Sequence, residues 1–224
     1  MAVFRLDEEM WFPHPSLGEE SGLIAVGGDL SPERLELAYS NGFFPWFSFR
    51  DWDMPLWYCP LERYVIFPRE IHISHSLRTL INRKSYFCTF NEDFDGVIHN
   101  CSTVNDRIYQ EGAWLGPDII SAYTTLHRLG MAKSVEVWSE TPETVEGRRL
   151  VGGLYGIQLG KGFFGESMFS KVSNASKLAL VFLAGYCLES GLNLIDCQFE
   201  TPLFKSMGGR SIPYDEYMKL ISTY

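Results

Sequence analysis

Two apolar, strand-like segments of this 224-residue chain carry polar groups that such strands seldom bury: Glu166 in FFGESMF (163–169), and Asp196 with Gln198 in LIDCQF (194–199). Side chains alternate along a strand, so Phe164, Glu166 and Met168 are expected on one face. By the same rule Asp196 and Gln198 share a face and Cys197 points the other way. If the two strands lie close together in one sheet, the three polar groups converge in an apolar setting and act there through hydrogen bonding and charge. An isolated buried carboxylate is expensive. Each therefore has either partners in a structural hydrogen-bond network or a task, and the residues alone leave both open.

Several other chemistries lack their residues. The stretch GGLYGIQLGKG (152–162) differs from a phosphate-binding P-loop, because Tyr155 stands where the first glycine is required and Gly162 replaces the hydroxyl residue. No G-x-G-x-x-G opens a helix, and no G-x-S-x-G is present. His72 and His75 have no carboxylate or cysteine cluster beside them to complete a metal shell, so no metal is expected. The turn SKVSNAS (170–176) sits where acetyltransferases of the GCN5-related type hold the coenzyme A pyrophosphate on glycine-rich backbone at a helix N-terminus, but it contains no glycine. A shared scaffold without that coenzyme is the expectation.

The elements that must position these groups are legible in outline. Ser31 as N-cap and Pro32 at the first helical position open a helix through LELAY that ends at Asn41-Gly42. Residues 74–84 read as a second helix, and 117–129 as a third, closed by Gly130. SVEVW (134–138) alternates as a strand. Gly160-Lys161-Gly162 joins two further strands as a hairpin, followed by a helix over 174–190, Gly191, and a strand over 193–198. Strand, helix, strand is a βαβ crossover, so strands 163–169 and 193–198 should run parallel in a mixed sheet. The chain reads as an α+β protein, with a small N-terminal module over 1–75 and a larger mixed-sheet domain over 76–224.

Apolar residues at 46% and aromatics at 15% suffice for a sizeable core and exclude a disordered chain. The net charge of −9 is unevenly spread. Residues 1–62 hold three positive and eleven negative charges, whereas Arg63 to Lys84 holds five positive and one negative. Such an island suits either a solvated helix face or local contact with a phosphate backbone, and excludes broad non-specific nucleic-acid binding. Five cysteines without a C-x-x-C pair read as reduced thiols. The N-terminus lacks an apolar leader, and the longest apolar run, Leu178 to Leu188, is too short to span a bilayer, so a cytoplasmic protein is expected.

Residues 22–47, GLIAVGGDLSPERLELAYSNGFFPWF, together with LWYCPLERYV, AYTTLHRLGMAKSVEVW, LVGGLYGI, FFGESMFSKVSNASKLAL and LIDCQ, resemble the bacterial leucyl/phenylalanyl-tRNA–protein transferases. The motifs follow in order from about residue 12 to 215. The resemblance implies a small N-terminal domain joined to a domain similar to the GCN5-related acetyltransferases, with no metal and no cofactor. It implies a leucyl- or phenylalanyl-tRNA donor, with methionyl-tRNA used less well, and acceptor proteins beginning with Arg or Lys that are thereby marked for proteolysis. A monomer without membrane contact is expected. His75, Thr79 and Asn82 stand where relatives often have Arg or Lys, leaving Arg78, Arg83 and Lys84 for the tRNA backbone. Leu154 and Leu183 replace Met and Phe of some relatives, which shifts the expected preference between leucine and phenylalanine.

The reaction so implied is aminolysis of an ester. A free α-amino group has a pKa of about 7.7–8.0, so part of it is already neutral near pH 7 and no strong base is needed. Positioning alone can supply about 7–11 kcal/mol. The Gln198 carbonyl is expected to accept a hydrogen bond from the amine and aim its lone pair, with Asp196 orienting Gln198 or taking up the proton through it. An amide is a very poor base, so the ribose hydroxyl of the tRNA is an alternative relay. Glu166 is assigned to the acceptor's cationic end or α-ammonium. Leu154, Phe163, Met168, Leu183 and Ile195 are expected to line the amino-acid pocket, and Trp46 and Trp114 to enclose the terminal adenosine.

Overall fold

The computed structural model describes residues 2–46, 54–104, 115–141, 143–144 and 147–223. Its N-terminal part is a small four-stranded sheet. Strand β1 (Phe4–Leu6) pairs in parallel with β2 (Leu23–Gly27), and helix α1 (Pro32–Ser40) follows. The two-residue β3 (Phe44–Pro45) and β4 (Leu56–Tyr58) complete the order β1-β2-β4-β3. The Ser31 hydroxyl caps α1 by accepting from the Arg34 amide at 3.3 Å, as the sequence predicts.

The remaining elements build a seven-stranded mixed sheet. In chain order they are β5 (Glu62–Ile66), α2 (His75–Arg83), β6 (Phe87–Phe90), α3 (Phe94–Thr103), α4 (Pro117–Arg128), β7 (Ala132–Glu140), β8 (Arg148–Leu159), β9 (Gly162–Ser170), α5 (Ala175–Glu189), β10 (Leu194–Asp196), α6 (Pro202–Ser206), β11 (Arg210–Pro213) and α7 (Tyr214–Ile221). The strand order is β11-β5-β10-β9-β8-β7-β6. Neighbours are antiparallel except β9 and β10, which run parallel across the α5 crossover, as the strand–helix–strand pattern requires.

The sheet is covered on both faces. On one side lie α1, α3, α4 and α7 with Tyr39, Val97, Tyr123 and Tyr217 in the core. On the other lies α5, whose Leu180, Leu183 and Cys187 pack on Val135, Leu154, Phe163 and Ile195. This close seating of α5 explains one of the paired glycines in β8. A Cβ on Gly152 would stand 2.4 Å from the Cβ of Ala175 at the helix N-terminus, too close for any side chain.

Two strand readings need correction. The expected single face for Phe164, Glu166 and Met168 does not form, because the β8–β9 register slips between Tyr155 (opposite Ser167) and Gly156 (opposite Gly165). Strand β9 thus supplies one more residue than β8, a bulge that resets the alternation. Phe164 and Glu166 stay on the α4 side, while Met168 turns to the α5 side. The last strand also ends early, at Asp196 rather than residue 198. Gln198 has φ +59°, a left-handed backbone that cannot continue a strand.

Candidate functional site

The strand break creates the site. Strand β10 pairs with β9 only as far as Asp196 opposite Phe164, and β9 then runs on to Ser170 without β10 beside it. Where the two strands part, a cavity of about 210 Å³ opens. Its lining is largely apolar, with Leu154, Met168, Leu180, Leu183, Ile195 and Phe204, and also includes Glu166, Asp196 and Gln198. The size falls below the ~300–1,000 Å³ of pockets for drug-sized ligands and suits one amino-acid side chain.

The three polar groups differ in how they are held. Gln198 donates through Nε2 to the Gly165 carbonyl at 2.7 Å, occupying the first ladder acceptor that β10 has abandoned. That leaves the Oε1 end of its amide to meet a ligand. Asp196 is fully buried and saturated. Arg63 donates through Nε to Oδ1 and Oδ2 at 2.9 and 3.0 Å and through Nη2 to Oδ2 at 2.7 Å. Tyr217 Oη adds 2.8 Å to Oδ2, and the Gln198 amide 2.9 Å to Oδ1. Burial by itself would lower the Arg63 pKa, but the Asp196 carboxylate beside it outweighs that and raises it.

Glu166 is half-buried and accepts from Tyr39 Oη at 2.6 Å and from Tyr123 Oη at 3.0 Å. Tyr39 and Tyr123 also touch each other, oxygen to oxygen. Burial pushes the Glu166 carboxyl from 4.5 up to about 7, against the lowering effect of the two tyrosine donors and with a further push from Asp196.

Of the expected pocket residues, Leu154, Met168, Leu183 and Ile195 line the cavity, whereas Phe163 lies behind it in the core with no exposed surface. Trp46 lies outside the cavity wall. It is 40% exposed and packs beside Phe199 at 5.2 Å, the residue after Gln198. Trp114 falls outside the described residues. Arg78, Arg83 and Lys84 are all exposed on or just after α2. The basic island is smaller than its sequence suggests, because Arg63 is only 1% exposed and neutralised by Asp196. Sequence reasoning missed Arg63, Tyr217, Tyr39, Tyr123 and Leu180. A charge within the apolar strand LERYVIF was a usable signal for Arg63; nothing local marks the tyrosines. Among the described residues no group of three or more His, Cys, Asp or Glu stands together as metal ligands, and no helix is long and apolar enough to cross a membrane.

Comparison with known proteins matches the sequence to a family. The model for the leucyl/phenylalanyl-tRNA protein transferase covers residues 65–222, and that for its N-terminal domain covers 28–61. The chain is 44% identical to the leucyl/phenylalanyl-tRNA–protein transferase of Flavobacterium johnsoniae, over 99% of this chain and 100% of the relative. It is 46% identical to that of Syntrophus aciditrophicus, over 99% of this chain and 88% of the relative. Among solved structures, FemX superposes with a TM-score of 0.50 at 12% identity, over 85% of this chain and 71% of FemX, a likeness of fold alone. With its length spanned by the family's models and by relatives at this level of identity, the chain belongs to the leucyl/phenylalanyl-tRNA–protein transferase family.

Proposed function

We propose that this aminoacyltransferase moves leucine or phenylalanine, and methionine less well, from charged tRNA to the N-terminal Arg or Lys of acceptor proteins, marking them for proteolysis. The observation that carries the reading is the cavity between β9 and β10: largely apolar walls for one side chain, with three polar residues in the same lining. The esterified amino acid enters side chain first. Burial of a leucine or phenylalanine side chain contributes about 1.5–3 kcal/mol, and Leu154, Met168, Leu183 and Ile195 form the walls.

Beside these polar residues the ester carbonyl meets the incoming amine. Gln198, its Nε2 held by Gly165, offers Oε1 to an N–H of the amine and aims the lone pair. Asp196 orients rather than receives a proton, since its oxygens already accept from Arg63, Tyr217 and the Gln198 amide. As the C–N bond forms, the ester C–O bond to the ribose breaks, and the amine's proton passes through the neighbouring ribose hydroxyl to the departing oxygen. Glu166, once ionised, takes the acceptor's cationic end by a charge-assisted hydrogen bond. Trp46 and Trp114 stack on the terminal adenosine, and Arg78, Arg83 and Lys84 contact the tRNA backbone.

The parting of two parallel strands beside the crossover helix supports a GCN5-related scaffold for the larger domain, 76–224, whose sheet the N-terminal module over 1–75 completes with strand β5. The enzyme works in the cytoplasm as a monomer, with no cofactor or metal. Incubation with leucyl-tRNA and an Arg-initiated peptide, followed by mass spectrometry, should show one added leucine at the peptide's N-terminus. An unmodified peptide would reject the proposal.

A further inference from the structure

Arg63 holds together more than an ion pair needs. Its Nη1 donates to the Gly42 carbonyl at 2.9 Å, its Nη2 approaches Tyr217 Oη at 3.3 Å, and its fork takes both oxygens of Asp196. The guanidinium lies between two rings, 4.7 Å from Phe44 and 4.8 Å from Tyr217. Gly42 has φ +77°, and a Cβ there would stand 3.0 Å from the Tyr217 ring, so a side chain at this turn would crowd that ring. A buried ion pair is weak support for stability, because desolvation offsets most of the attraction. The arrangement is better explained by what it fixes.

What it fixes is the turn that carries Gln198. The Gln198 backbone sits in a left-handed conformation that a non-glycine residue adopts at a cost. Two bonds hold it there. Asp196 Oδ1 accepts from the Gln198 amide at 2.9 Å, and the Gln198 carbonyl accepts from the Tyr64 amide at 3.3 Å. Asp196 can accept in that direction only while its carboxylate is pinned, and Arg63 with Tyr217 pins it. The Phe44 ring under the guanidinium also packs on Phe199 at 5.8 Å, and Phe199 packs on Trp46 at 5.2 Å. One buried cation therefore sets the amide and the exposed indole in register.

We infer that Arg63 and Tyr217 are positioning residues for the Gln198 amide, acting through Asp196 to hold its Oε1 where the attacking amine must arrive. The inference rests on the aminoacyl-transfer reading above. It predicts that loosening this clamp slows transfer without weakening the donor's side-chain pocket, whose lining includes neither Arg63 nor Tyr217.

The test uses Tyr217→Phe, which keeps the ring beneath the guanidinium and removes only the hydroxyl. With leucyl-tRNA and an Arg-initiated peptide both saturating, the transfer rate should fall roughly tenfold, within the range that small misplacements of reacting groups produce. The Kd for leucyl-tRNA should not change. In a Gln198→Ala background, Tyr217→Phe should cause no further loss, since the group it positions is gone. Arg63→Lys, which keeps the charge but not the fork, should behave the same way with a larger loss. A Tyr217→Phe rate equal to that of the unaltered enzyme would overturn the inference. So would a loss of equal proportion with and without the Gln198 side chain, which is the mark of a purely structural role. An unaltered enzyme that transfers nothing rejects the underlying reading instead, and this inference with it.

Discussion

Glu166→Gln separates the site's chemistry from its architecture. Glu166 accepts from Tyr39 and Tyr123, and a glutamine of nearly the same shape keeps an acceptor oxygen there while adding an N–H donor. The variant should therefore fold. The unfolded chain releases the Glu166 proton near 4.5, whereas the folded protein holds it to about 7. Between those values the folded state binds more protons, so stability must fall as pH rises through this window and level off above it. A difference of 2.5 pH units corresponds to about 3 kcal/mol. Urea unfolding at pH 5 and pH 8 reads this directly. Glu166→Gln should lose about 2–3 kcal/mol less than the unaltered protein across that interval. For Arg-initiated peptides its kcat/KM should drop about 10- to 150-fold, the worth of a hydrogen bond to a charged group, and the rise of acceptor use through pH 7 should flatten. Identical pH slopes in the two proteins, or an equal loss for peptides with neutral N-termini, would refute the reasoning.

Three further outcomes are expected. Asp196→Ala strands Arg63 as a buried, unpaired charge and should cost about 3–5 kcal/mol in unfolding free energy, while Gln198→Ala should leave stability nearly intact and lower turnover; matching stabilities would remove the buried clamp from the account. Leu183→Phe narrows the cavity and, with overpacking worth about 1–3 kcal/mol, should raise the leucine-to-phenylalanine ratio of kcat/KM about 5- to 150-fold, read by competition between the two charged tRNAs. Charge reversal of Arg78, Arg83 and Lys84 together should weaken tRNA binding and flatten its salt dependence in titrations at several salt concentrations.

Much of the site was legible because local patterning settles local structure. The crossover pattern brings residues 163–169 beside 194–196, and so gathers Glu166, Asp196 and Gln198 around one opening. The faces were harder. Alternation fails at Glu166, where a bulge adds a residue, and at Gln198, where the backbone turns left-handed. No periodicity announces either event. The partners were harder still, since Arg63 lies 133 residues from Asp196 and Tyr39 127 from Glu166, and such pairings are set by tertiary packing. The same packing turned one charge of the basic island inward.

A crystal structure with an adenosine carrying phenylalanine through a non-hydrolysable amide shows where the esterified amino acid is held. The phenylalanine ring should lie in the cavity between β9 and β10, between Leu154, Met168, Leu183 and Ile195, with the linking carbonyl beside the Gln198 amide. Density for the amino acid elsewhere, with that cavity still empty, would overturn the proposed mode of donor binding.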